Sequence, residues 1–163
     1  NGRPGSPYYR LIDTAKVAVA GHSCGGMLAI MLGEDSRVKT VIINNSGVFP
    51  VLPDNPPLVM HQERLQGIHT PALFIMGGKT DIAQAIGDRS FDAITRVPVF
   101  EAITQVGHGG TFNKPYGGVA AKVMVDWLQW QLRGDRTAAR SFLGPDCTLC
   151  TDPVWTVRKK RLP

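Results

Sequence analysis

Residues 16–26 read KVAVAGHSCGG, and this short stretch decides the fold. Its first half is a run of small and β-branched apolar residues, which is typical of a buried β-strand. The run meets Gly21, and beyond two further glycines the segment 27–32 (MLAIML) is apolar and rich in helix-forming residues. The stretch therefore predicts a strand over 16–20 that turns abruptly into a helix.

The rest of the chain repeats this alternation of strand and helix. Further apolar runs predict strands over 38–43 and 72–76 and a fourth strand within 97–106, and apolar spacing predicts helices around 59–65, over 82–94 and over 119–132. Apolar strands that alternate with helices are typical of a parallel sheet covered on both faces. We expect an α/β fold with three layers and a mostly parallel sheet. Residues 1–163 fit one domain, with 135–163 as a C-terminal extension on it.

Composition and charge exclude several classes of function. The net charge is +5, but the only basic run is RKKR at 158–161, which is predicted to be a solvated tail rather than a contact for a polyanion. We therefore expect no nucleic-acid partner. No apolar run approaches the length of about 18 residues that a membrane span needs. The N-terminus lacks a charged-then-apolar leader, so a signal peptide is expected to be absent or removed.

The cysteines Cys147 and Cys150 form a C-x-x-C pair, which could be a redox motif, half of a metal site or a small disulfide loop. The neighbouring prolines favour a loop over the helix start that a redox motif needs, and no His or Cys follows to complete a zinc site. A structural disulfide in a secreted or periplasmic protein is the preferred interpretation, with free thiols as the alternative. No metal and no cofactor are expected.

The residues Gly21–Gly25 spell G-x-S-x-G between a predicted strand and a predicted helix, which is the context this motif requires. The turn is so tight that the positions two before and two after Ser23 are expected to lack side chains. Ser23 then projects at the carboxyl end of the sheet as a candidate nucleophile, and the backbone N–H of Cys24 is a natural oxyanion donor. The alternative is a glycine-rich turn without chemistry.

A serine hydroxyl needs a base within hydrogen-bond reach, and the chain has four histidines. His22 adjoins Ser23 in an elbow that directs neighbouring side chains apart, so a structural role is expected. His61 and His69 are predicted to be surface or packing residues. His108 follows the last parallel strand between glycines that let a loop bend the imidazole over the sheet edge, and it is the candidate base.

The base in turn needs an anion on its other nitrogen. Asp81 comes just after the third predicted strand and emerges at the same sheet edge, so it is the candidate acid. Asp54, in the loop after the second strand, is the runner-up, whereas Asp88 and Asp92 are expected on the solvated face of a helix. The chain order serine, aspartate, histidine is that of the α/β-hydrolases.

On these residues the chain resembles the α/β-hydrolase superfamily, near its secreted dienelactone-hydrolase-like and cutinase-like esterases. The matching segments span most of residues 8–133 and include 12–19 (IDTAKVAV) leading into GHS at 21–23, GGKTD at 77–81 and GHGG at 107–110. The resemblance implies hydrolysis of a small-molecule ester through an acyl-enzyme, without metal or cofactor. The glycines at 25 and 26 are also similar to serine peptidases of the prolyl-oligopeptidase type, so a peptidase or amidase is an alternative.

The chain departs from the family before its nucleophile strand, where complete members have about four further strands. We therefore expect a sheet that lacks the usual N-terminal strands and the second oxyanion donor that they supply. An apolar, unpaired edge at Val17–Val19 is a template for pairing with another chain, so a homodimer is expected there. A weakly active fragment with a role in assembly is the third hypothesis.

Overall fold

The computed structural model describes residues 2–49 and 61–162, in which strands and helices alternate over most of the chain. The strands are β1 (Val17–His22), β2 (Val38–Asn44), β3 (Ala72–Met76), β4 (Val99–Ile103) and β5 (Thr156–Lys160). The α-helices are α1 (Cys24–Leu32), α2 (Gln84–Ala93), α3 (Gly118–Arg133), α4 (Arg136–Ala139) and α5 (Thr148–Thr151). Short 3₁₀ turns span Gln62–Gly67, Gly78–Thr80 and Pro115–Gly117.

The five strands form one sheet in the order β1-β2-β3-β4-β5. Neighbouring strands from β1 to β4 are parallel, and only β5 runs antiparallel to its neighbour β4. The predicted α/β class and mostly parallel sheet are therefore confirmed. Because β1 to β4 point the same way, the loops that follow them emerge at one edge of the sheet.

Each face of the sheet is covered by a separate apolar cluster, because alternate strand residues point to opposite faces. Ile43 and Phe74 pack with residues of α1 and α2 on one face. Ile42 and Leu73 pack with α3 and the C-terminal segment on the other. The indole nitrogen of Trp127 in α3 donates to Thr40 Oγ1 at 2.7 Å, which fixes this helix against β2.

Element types follow the sequence prediction well, but some boundaries differ. The fourth strand, predicted within 97–106 and ended by Gly107, spans Val99–Ile103 and so ends before that glycine. Beyond it the N–H groups of Thr104 and Gly107 donate to the carbonyls of Met76 and Gly77, so the chain turns across the end of β3. The helical segment predicted around 59–65 falls partly outside the described residues. Asp54 lies outside them.

The basic C-terminal run is not a solvated tail, and that expectation was wrong. Residues 158–160 belong to β5, which pairs with β4. Arg158 binds Asp88 and Asp92 of α2, and Lys160 donates to main-chain carbonyls at the end of that helix. The two aspartates are therefore ion-pair partners rather than a purely solvated face. The run of cations hides this strand from pattern analysis, because it shows no apolar alternation and the partners of Arg158 and Lys160 in α2 lie 66 to 70 residues earlier in the chain.

Arg158 also faces Glu101 in the middle of β4, with Nη1 3.3 Å from Oε2. Glu101 is fully buried, and neither of its carboxyl oxygens accepts a hydrogen bond from a described residue. Burial therefore raises the pKa of Glu101 to about 7, although the positive charge of Arg158 opposes this shift. Between pH 4.5 and about 7, the carboxyl group of Glu101 consequently keeps a proton in the folded chain that it has released in the unfolded chain.

This proton makes the free energy of unfolding depend on pH. The contribution of Glu101 to the free energy of unfolding should decrease by on the order of 3 kcal/mol as pH rises from the ordinary glutamate pKa of 4.5 through 7. Glu101→Gln, which does not titrate, should remove that decrease and be more stable than the wild type at pH above 7. Urea unfolding across this range checks it, with the exposed Glu63→Gln as control. An unchanged slope in Glu101→Gln would contradict the assignment.

Two further sequence expectations concern the cysteines and the membrane. Cys147 and Cys150 are joined by a disulfide at the start of α5, and Cys24 is an exposed free thiol. Export to an oxidising compartment stays a prediction. Over 2–49 and 61–162, no helix has the length and apolar character needed to cross a membrane.

Candidate active site

The loops at the carboxyl edge of the sheet bring the three predicted side chains together. Ser23 directly follows β1, Asp81 lies beyond β3 and His108 lies beyond β4. His108 Nε2 is 3.0 Å from Ser23 Oγ, and its Nδ1 is 2.8 Å from Asp81 Oδ1. An ionised carboxylate only accepts hydrogen bonds, so Nδ1 carries the proton of the neutral imidazole and Nε2 accepts from the serine hydroxyl.

Ser23 occupies a strained turn that exposes its hydroxyl. Its φ of 53° and ψ of −119° lie outside the regions that non-glycine residues favour. Ser46 stabilises this turn, because its hydroxyl donates a hydrogen bond to the Ser23 carbonyl at 2.6 Å. Helix α1 begins at the next residue, so the N–H of Cys24 lies at its positive end.

Two glycines make this turn possible, but they are not the pair expected from the motif. A Cβ on Gly21 would lie 1.9 Å from the carbonyl oxygen of Gly25, and one on Gly26 would lie 2.4 Å from Ser46 Cβ. A Cβ on Gly25 would meet nothing within 4 Å, so the expectation that Gly25 must lack a side chain was wrong. The backbone of Gly25 lies against Gly21, so Gly21 is the position that cannot carry a side chain.

Asp81 is buried, and donors surround its carboxylate. Oδ1 accepts from His108 Nδ1 and from the N–H of Ala83, while Oδ2 accepts from Asn45 Nδ2 and the N–H of Gly77. Burial raises the pKa of Asp81, but these hydrogen bonds outweigh it and hold the pKa below its ordinary value. The carboxylate therefore stays ionised beside the imidazole.

His22 contacts the base loop, as a structural residue would. Its Nε2 lies 2.6 Å from the carbonyl oxygen of His108, and because that oxygen only accepts, His22 donates. Its ring packs edge-on against Phe112. His22, the residue before the nucleophile, is thus hydrogen-bonded to the backbone of His108, the candidate base. His61 and His69 are exposed and lie outside this constellation, as expected.

Sequence reasoning missed Asn45, which lies in this site and donates to both Asp81 and Gly107. The composition of the segment 44–47 (NNSG) is typical of a turn that ends a strand, so composition does not mark Asn45 as a site residue. The available signal was its position, since Asn45 follows β2 at the same edge as the other loops. A polar residue directly after an apolar parallel strand lies at the edge where the other loops of the site emerge.

No protein-family model matches this chain, and a comparison with curated proteins found no match. Within the described ranges, no three His, Cys, Asp or Glu side chains are grouped in a way that could hold a metal ion.

The arrangement has the parts that activate a hydroxyl. A neutral imidazole nitrogen within hydrogen-bond reach can take the Ser23 proton, and a buried carboxylate can stabilise the imidazolium that forms. The N–H of Cys24 at a helix start can stabilise negative charge that develops beside Ser23.

Proposed function

We propose that this chain is a serine hydrolase that cleaves short-chain carboxylic esters through an acyl-enzyme. The observation that carries the proposal is the continuous hydrogen-bonded chain from Ser23 through His108 to Asp81. The strand-to-helix elbow and the order of the three residues also support an α/β-hydrolase-like fold. No cofactor enters the proposed reaction.

In the proposed reaction, Ser23 Oγ attacks the ester carbonyl carbon while its proton moves to His108 Nε2. Asp81 accepts the Nδ1–H throughout and stabilises the imidazolium, and the Cys24 N–H donates to the oxyanion. His108 then gives its proton to the leaving alkoxide as the carbon–oxygen bond breaks. A water attacks the acyl-enzyme, losing its proton to His108, and the acid leaves as Ser23 recovers its proton.

Hydrolysis of p-nitrophenyl esters and the matching anilides tests this proposal. We expect the purified protein to hydrolyse the esters and to act poorly on the anilides. EDTA should have no effect on the rate. Equal activity on anilides would favour the peptidase alternative, and inactivation by EDTA with rescue by zinc would contradict the proposal.

We also propose that the chain forms a homodimer through the edge near Val17–Val19. Among the described strands, β1 pairs with β2 only, which leaves its other edge without a partner. Leu28, Met31 and Leu32 of α1 are exposed, and Leu32 lines the same groove as the β1 residues Val17 and Val19. Pairing β1 with a second copy about a two-fold axis would satisfy the strand and cover these side chains.

Light scattering across a dilution series measures this association. The wild type should have the mass of a dimer, and Leu32→Lys, which places a charge on the exposed apolar surface, should shift the protein towards monomer. A wild type that stays monomeric at micromolar concentration would contradict the proposed dimer.

A further inference from the structure

We propose that Asn45 is a positioning residue that holds the acid and the base of the site in register. The inference rests on the proposed hydrolase function for its kinetic consequences, but its structural consequence can be measured separately. Asn45 is not expected to contact the substrate, because it acts through Asp81 and the loop that carries His108.

The side-chain amide of Asn45 joins two loops of the site. Nδ2 donates to Asp81 Oδ2 at 2.8 Å and to the carbonyl oxygen of Gly107 at 3.2 Å. Gly107 immediately precedes His108, so a single NH₂ group connects the carboxylate to the backbone of the base. Both partners only accept hydrogen bonds, which fixes the orientation of the amide.

Asn45 has little freedom to move away from these partners. Its side chain is buried at 2% exposure, and its own N–H donates to the Ile75 carbonyl at 2.8 Å. A Cβ on Gly77 would lie 2.8 Å from Asn45 Nδ2, and one on Gly110 would lie 3.0 Å from Oδ1. The amide is therefore enclosed by glycine backbone on two sides.

The backbone at this position is also unusual, since Asn45 has a φ of 46°. Only glycine, and to a lesser degree asparagine and aspartate, adopts this left-handed conformation at low cost. A glycine here would relieve strain but lack the amide. The choice of asparagine at a strained, buried position indicates that the side chain has a role that glycine could not supply.

Loss of the amide would leave Asp81 Oδ2 with one donor, the N–H of Gly77. With three of its four hydrogen bonds left, the carboxylate would have more freedom to rotate, and Oδ1 would be held less closely in line with His108 Nδ1. The Gly107 carbonyl would lose its tether at the same time. A shift of about 1 Å in a reacting group can cost on the order of 10²-fold in rate, so this position should affect kcat more than KM.

Two variants distinguish the effect of the amide donor from the effect of the shape of the side chain. Asn45→Gly keeps the left-handed backbone and deletes the amide, whereas Asn45→Asp keeps the shape and replaces the donor with an acceptor facing Asp81. Thr40→Val is the matched control, because it removes both hydrogen bonds of a buried side chain near the start of β2, the strand that Asn45 follows. It should lower stability without changing kcat.

We expect Asn45→Gly and Asn45→Asp to fold and to lose about 10- to 100-fold in kcat, with KM within about twofold of the wild type. In the proton NMR spectrum, the downfield resonance of the His108 Nδ1 proton should be present in the wild type and in Thr40→Val and lost in both Asn45 variants.

Wild-type kcat in either Asn45 variant would overturn the proposal, and so would an equal loss of kcat in Thr40→Val. Failure of both Asn45 variants to fold would also overturn it, since the role would then be purely structural. If the wild type hydrolyses no ester, the proposed function fails. The Asn45 inference is then decided by the resonance alone: its loss in the variants supports the inference and its persistence overturns it.

Discussion

Replacing Ser23 by alanine should abolish ester hydrolysis, with kcat falling by about 10⁶-fold. The hydroxyl that is proposed to form the acyl-enzyme is then missing, and among residues 2–49 and 61–162 no hydroxyl other than that of Ser23 is hydrogen-bonded to His108 Nε2. His108→Ala should cost a similar amount, because the hydroxyl that remains would have no base. In the proposed reaction the two residues act as one unit, so the double variant should be no worse than either single variant.

Steady-state hydrolysis of a p-nitrophenyl ester measures these losses. Ser36→Ala and His61→Ala provide matched controls, since both residues are exposed and lie outside the site. They should keep wild-type activity. Losses that multiply in the double variant would contradict a single catalytic unit, and substantial activity in Ser23→Ala would contradict the assignment of the nucleophile.

Replacing Asp81 by asparagine should lower kcat by about 10⁴-fold and leave a small residual activity. Every group that contacts this carboxylate is a donor, so an asparagine NH₂ would face donors in either orientation. The imidazole would relieve the conflict at Oδ1 by accepting at Nδ1. Its proton would then sit on Nε2, facing Ser23, where it could no longer accept the serine proton.

The kcat of Asp81→Asn, measured on protein whose circular dichroism matches the wild type, checks this expectation. Asp81→Ala is a useful companion, because it removes the anion without imposing the wrong tautomer. Activity within tenfold of the wild type in both variants would show that another acid orients His108, and Asp54 would be the first residue to test.

The sequence was most informative where local chemistry alone determines structure. Residues 16–26 predicted both a buried strand and the turn after it, because a tight turn requires glycine and a buried strand requires apolar residues. Ser23, Asp81 and His108 could be placed at one edge because parallel strands end on the same side of a sheet. No distance between side chains was needed for that inference.

The features that sequence reasoning missed depend on contacts between distant segments. Strand β5 contains three successive cations, and the partners of its Arg158 lie in α2 and β4, so no apolar alternation marks it. The role of Asn45 depends on loops after three different strands. Gly21 must lack a side chain because the backbone of Gly25 lies against it, whereas Gly25 has open space beside it. The spacing within the motif does not show this difference.

Labelling with a serine-reactive phosphonate, followed by mass mapping of the modified residue, tests the central claim most directly. The account predicts one equivalent of label per chain, located on Ser23, with strongly reduced labelling in His108→Ala because the hydroxyl is no longer activated. A chain that stays unlabelled, or that carries its label on a different residue, would contradict the assignment of Ser23 as an activated nucleophile.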